Sequence, residues 1–206
     1  MKFTVKIFLS KILNLKMRIL VAKAISNILS ALAVVVEATF VLTYLGTKNI
    51  FLSLEWTLIS SALILVLLAI VYYFVRKGKF SDLDVSTQKQ RPLLFLLDFI
   101  FAAVYISILY LFHAPKELFI GNIAVFLVVI VLAVVNKFIK ASVHMAVLSG
   151  ALTLFVFMGG LVYLWGFLLI PVLAWARLAT KRHAPKEVIA GTVVGILVAG
   201  LVMLLL

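Results

Sequence analysis

"LFIGNIAVFLVVIVLAVVNKF", Leu118 to Phe138, runs for 19 residues before its first charge, Lys137. A helix rises about 1.5 Å per residue, so roughly 20 such residues cross a hydrocarbon core about 30 Å thick. The run has none of the polar and apolar alternation of a barrel strand, so it reads as a membrane-spanning helix. Six further stretches read the same way: Ala24 to Gly46, Glu55 to Val75, Pro92 to Phe112, Ser142 to about Leu164, about Gly166 to Arg177, and Pro185 to Leu206. The Gly166–Arg177 run is the weakest. It is short and interrupted by Pro171, and is expected to be kinked and packed inside the bundle. Composition agrees with the pattern: 66% of the 206 residues are apolar and 13% charged. The expected fold is an all-α integral membrane protein with six to seven transmembrane helices.

Residues 1–23, "MKFTVKIFLSKILNLKMRILVAK", place six Lys/Arg among Phe, Ile, Leu and Met at helical spacing. They are expected to form an amphipathic interfacial helix, with residues 24–206 as a single transmembrane domain. The net charge of +12 lies between apolar runs. That placement points to anionic head groups or a phosphorylated lipid as partner, and away from nucleic acid. The chain has no Cys, which excludes thiolate chemistry, and its three His lack metal-ligand spacing apart from the His183 and Glu187 pair. Neither a metal nor a cofactor is expected.

Three polar clusters fall at helix starts. "QRP" ends at Pro92, "KASVH" puts Ser142 at a capping position, and "RHAPKE" puts Pro185 in a first turn. With seven alternating spans all three emerge on one face. Helix N-termini expose unpaired amides, and Arg91 and Arg177 add permanently charged forks suited to phosphate oxygens. His144 and His183 offer a nucleophile and a proton donor. Glu187, one turn beyond His183, can hold one ring nitrogen and leave the other free to attack phosphorus.

At these residues the chain resembles the type-2 phosphatidic acid phosphatases, the lipid phosphate phosphatases. That family's pattern is a Lys six residues ahead of an Arg-Pro pair, then Pro-Ser-Gly-His, then Ser-Arg, five residues, His, three residues and Asp. Here Arg91-Pro92, Ala141 to His144, and Arg177, His183 and Glu187 take those places, with Glu for Asp, over about Arg91 to Gly195. The resemblance implies a metal-independent phosphatase acting on a lipid phosphate or polyprenyl diphosphate. His183 would be the nucleophile, Glu187 its orienting acid and His144 the general acid. Arg91, Ser142, Val143 and Arg177 would bind phosphate. Asp84 stands where the family has its first Lys, Ala141 where it has Pro, and Val143 where it has Gly. Lys89 or Lys140 is left to replace the missing cation.

Other readings stay beside these. Ser142 serves equally as a helix cap, Arg91 as an interfacial anchor, and Lys89 and Lys140 as head-group contacts. Glu37 and Asp98 are costly charges inside spans. His113, beside "APKE" on the opposite face, reads as interfacial, and Gly191 and Gly195 read as a close helix-packing pair. The seven-span assignment puts 17 of the 19 Lys/Arg on the motif face, against Lys48 and Lys116 opposite. Discounting the candidate ligands Arg91, Arg177, Lys89 and Lys140 leaves 13 against 2, so the site is expected to face the cytoplasm.

Overall fold

The computed structural model describes residues 2–205, with side-chain surroundings from residue 15 onward. Eight helices follow one another without a strand among the described residues: α1 (Lys2–Ile28), α2 (Ala31–Thr47), α3 (Ile50–Arg76), α4 (Arg91–Leu111), α5 (Lys116–Val135), α6 (Val143–Gly159), α7 (Leu169–Ala179) and α8 (Pro185–Leu205). Five helical stretches are long and apolar enough to cross a membrane. Counting the bent pair Leu15–Ile28 and Ala31–Thr47 as one span makes six, and α6 is a shorter apolar helix. The chain is a multi-pass integral membrane protein.

The expected span Ala24–Gly46 is not one helix. It breaks at Leu29 and bends by 45°. Ser30 adopts extended dihedrals, and its Oγ accepts from Ala33 N at 3.2 Å, so it caps α2 and ends α1. For the N-terminal segment, the interfacial expectation falls largely on side chains outside the described residues. From Leu15 onward, Leu15, Met17, Leu20 and Ile28 are exposed while Ala22 and Ser26 are buried, and this part of α1 packs against α7.

The weak sixth span is helical for 19 residues, Leu161–Ala179, with its first eight in 3-10 geometry. It is not packed inside the bundle. Leu161, Val162, Trp165 and Leu168 are exposed at its periphery. Pro171 lies in the first turn of α7, the position where a proline is best tolerated in a helix.

The shorter apolar helix holds the centre. α6 buries a continuous run from His144 to Leu154 with the single exception of Val147. It packs most intimately on α8, because Gly191 and Gly195 remove side chains from the contact. A Cβ at Gly191 would run into the backbone of Ser142, and one at Gly195 into Ala146 O and Ser149 Oγ. In lipid, where burying Leu gains little, such backbone proximity is what joins helices. Ser142 N also donates to Glu187 O at 2.9 Å, and Ser149 Oγ to Thr192 O at 3.0 Å.

At one end of the bundle the three longest connections are sewn together. Gln88 Nε2 donates to Asn136 O at 2.6 Å, Lys140 Nζ to Arg182 O at 2.9 Å, and Arg182 Nη1 to Asp82 Oδ1 at 2.9 Å. At the other end α2 and α3 are joined by only Lys48 and Asn49, with Lys48 left-handed and the Asn49 side chain accepting from Phe51 N and Leu52 N.

Candidate active site

His183 lies in the α7–α8 connection. Its ring is fixed from α8: Nδ1 lies 2.9 Å from Glu187 Oε2, and the same oxygen accepts from Ala184 N at 3.2 Å. The four-residue spacing across a helix start brings these groups together. The His183 side chain is 1% exposed. Lys140 Nζ approaches the same oxygen, Glu187 Oε2, at 3.7 Å, so the carboxylate is shared between the imidazole and a cation.

His144 occupies the first turn of α6, where Ser142 is the N-cap. The expected capping bond is absent. Ser142 Oγ is fully buried and has no partner, and Arg177 Nε is likewise buried and unpaired. Both atoms belong to side chains expected to hold phosphate. A buried donor without a partner costs about 1–3 kcal/mol.

Arg177, near the end of α7, is the hub. Its Nη1 donates to Ser26 Oγ at 2.7 Å and to Asp84 Oδ2 at 3.0 Å, and lies 3.5 Å from His144 Nε2. Arg91 at the start of α4 is also buried. It donates through Nη1 to Ala141 O at 2.7 Å and through Nε to Val85 O at 3.3 Å. The three clusters that the sequence places at helix starts therefore meet. Lys140 joins them and Lys89 does not. Lys89 is exposed and lines a separate cleft with Pro92, Asn136 and Lys137.

Four participants escape sequence reasoning: Asp84, Val85, Ser26 and Arg182. Asp84 stands where the resemblance asks for a Lys, and it approaches His144 Nε2 at 3.9 Å as well as pairing with Arg177. Val85 carries φ 44°, a left-handed conformation that a β-branched residue adopts only under strain of about 1–3 kcal/mol. The turn sets its carbonyl on Arg91 next to an Asp84 carboxylate on Arg177. Arg182 anchors this loop through Asp82 and the Ser86 hydroxyl. No local signal marks Ser26, which reaches Arg177 across 151 residues.

Electrostatics follow from this packing. Burial and the surrounding cations Arg177, Arg91 and Lys140 push the His183 imidazole down to about 3, so the ring is neutral near pH 7. For Asp84, burial raises the carboxyl, while His144 and the Arg177 guanidinium outweigh it and hold it below the usual carboxylate range.

A cavity of about 320 Å³ opens beside the cluster. Its lining combines the charged or polar Asp84, Arg91, Asp98, His144 and Arg177 with Val143 and apolar residues of α2, α3 and α4 such as Leu32, Leu67 and Leu94. His183 does not line this cavity. No cluster of three or more His, Asp or Glu fit for a metal occurs among the described residues. No family model, curated protein or solved structure matches the chain.

Proposed function

We propose that the protein is a membrane phosphatase that removes phosphate from a lipid phosphate or polyprenyl diphosphate through a phospho-histidine on His183. The observation that carries this reading is the meeting of three separately encoded clusters, with Ser142 Oγ and Arg177 Nε buried there and unpaired. Phosphate oxygens are acceptors that would relieve both. The adjoining cavity supports it, since its lining joins this charged cluster to apolar side chains of α2, α3 and α4, as a lipid with an anionic head requires.

In the proposed reaction His183 Nε2, the ring nitrogen not held by Glu187, attacks phosphorus as the bond from phosphorus to the lipid oxygen breaks in line. His144 gives its proton to the departing oxygen, and Glu187 stabilises the charge growing on the His183 ring. Arg177, Arg91 and the amides opening α6 take the charge on the equatorial oxygens. Water then attacks the phospho-histidine, His144 recovers a proton, and inorganic phosphate leaves. The His183 ring must turn out toward the cavity for the attack.

Asp84 supports a second reading. A carboxylate already paired with Arg177 occupies an anion's place, which suits a non-catalytic protein or transporter on the same scaffold. A phosphotransferase would use the residues of the first reading and differ only in its acceptor.

Detergent-purified protein in chelator, offered phosphatidate, phosphatidylglycerophosphate and polyprenyl diphosphates, is expected to release phosphate and, after acid quench, to hold labelled phosphate on His183. Release from no member of the panel would establish the second reading. The site is proposed to face the cytoplasm. With single Cys residues at Lys79 and Thr47, an impermeant thiol reagent on intact cells is expected to label Thr47→Cys and spare Lys79→Cys. The reverse pattern would turn the site outward.

A further inference from the structure

α4 presents two stripes of side chains. Arg91, Leu94 and Asp98 line the cavity beside His144 and Arg177, while Pro92, Phe95, Leu96 and Phe99 line a separate cleft of about 800 Å³ against α5. From α5 the cleft takes Ile130, Ala133 and Lys137, again three and four residues apart, so it runs as a groove along the two helices. Leu96, Phe99 and Ile130 are exposed, so in a multi-pass membrane protein the groove opens on the bilayer. Seven residues separate Pro92 from Phe99 and Ile130 from Lys137, about 10 Å of rise in each helix. That length accommodates a lipid's glycerol backbone and the upper part of a chain.

The mouth of the groove is cationic. Lys89 and Lys137 stand there, both exposed, and neither takes part in an ion pair among the described residues. No acidic side chain is among the lining residues. The residues that directly precede the two lysines are tied together: Gln88 Nε2 donates to Asn136 O at 2.6 Å, and Asn136 Nδ2 donates to Gln88 O at 3.3 Å. Two like charges are thus held at one end of the groove, and an anion between them offsets their repulsion. A free anion leaves the apolar walls unused, and a zwitterionic lipid brings a cation of its own to the lysines. An anionic phospholipid suits both parts. We infer that the α4–α5 groove binds one anionic phospholipid of the bilayer, with its phosphodiester between Lys89 and Lys137 and a chain along Phe95, Leu96 and Ile130. Phosphatidylglycerol is the simplest lipid of this class. The groove lies apart from the His144 and Arg177 cavity, so the inference holds whether or not the protein is a phosphatase.

The test is equilibrium binding of labelled phosphatidylglycerol to the full chain in a neutral detergent. The competitors are phosphatidylcholine with the same chains and glycerophosphoglycerol, the soluble head group. The wild type is expected to prefer phosphatidylglycerol about 25-fold over phosphatidylcholine, about fivefold for each lysine, and Lys89→Ala with Lys137→Ala to remove that preference. Lys77→Ala with Lys79→Ala takes the same charge from exposed positions in the same connection as Lys89 and should leave the affinity within about twofold. Ala133→Leu narrows the groove at constant charge and should weaken binding about tenfold. Thermal unfolding in the same detergent checks each variant, and the exposed lysine pair carries the test if Ala133→Leu fails to fold. Equal losses from the two lysine pairs would reduce the site to diffuse surface charge and overturn it. So would equal affinity for phosphatidylcholine, or competition by the soluble head group as strong as by the lipid.

Discussion

The same five residues, His-Ala-Pro-Lys-Glu, occur at positions 113–117 and 183–187, and each copy opens a helix, α5 and α8. Their fates differ. His183 is buried, and its Nδ1 is bound to Glu187 at 2.9 Å. His113 is exposed, takes a left-handed φ of 51°, and makes no hydrogen bond to Glu117. What separates them is the chain available to cover each. Around His183 three long connections close in and bring Lys140, Arg91 and Arg177. Around His113 the connections are a few residues long and nothing is left to lie over it. A motif of this length therefore specifies a helix start, and the surrounding packing decides whether its His is buried and bonded to its Glu.

The sharpest break of that comparison is the pair His183→Ala and His113→Ala. Under the proposed mechanism the first lowers phosphate release at least about 1,000-fold with folding intact, since a nucleophile has no substitute, whereas the second stays within about twofold. Losses of similar size in an initial-rate assay would erase the distinction. Next comes Glu187→Gln, expected to cost about 10- to 100-fold, with Glu187→Asp keeping much of the activity and Glu117→Gln unchanged. A Glu187→Gln enzyme working at wild-type rate would reduce Glu187 to a cap.

A third prediction concerns the scaffold that buries one copy only. Gly191→Ala puts a methyl into the Ser142 backbone and should destabilise the protein by about 1–3 kcal/mol, displacing Ser142 and His144, whereas Gly200→Ala meets nothing and should be silent. Thermal unfolding in detergent reads both, and equal melting temperatures would remove the close α6–α8 contact from the account. The smallest effect is on pH dependence. The His183 ring is held at about 3 in the folded chain, against an ordinary value of 6.5. The unfolded chain thus binds a proton first as pH falls. Stability is fully present above about 6.5 and declines from there toward 3. His183→Gln should flatten that decline in a melting-temperature series, and an unchanged slope would assign the decline to other groups.

Membrane class, helical content and approximate span positions were legible in the sequence, because a bilayer forces each crossing segment to satisfy its own backbone and to stay apolar for about 20 residues. Leu118–Phe138 and Lys116–Val135 differ only at their ends. The helix starts at Pro92, Ser142 and Pro185 were legible too, since Pro acts locally on the first turn and Ser142, although its hydroxyl makes no capping bond, closes the polar stretch before an apolar run. The bend at Ser30 was not. There a cap competes with an unbroken apolar run, and hydrophobicity alone does not register the loss of one turn.

The sequence by itself determined which residues sit at helix ends on the motif face, among them Arg91, His144, Arg177 and His183, and the local bond from His183 to Glu187. Only the tertiary structure decided that Asp84 occupies Arg177, that Ser26 reaches it from α1, that Lys89 lies outside, and that one copy of His-Ala-Pro-Lys-Glu is buried and the other bare. The reason is range. Capping and helical spacing act over three or four residues and can be read from any window. Pairings across 93 or 151 residues depend on how eight helices pack. That packing is set by close contacts such as Gly191 on Ser142, which no single window contains.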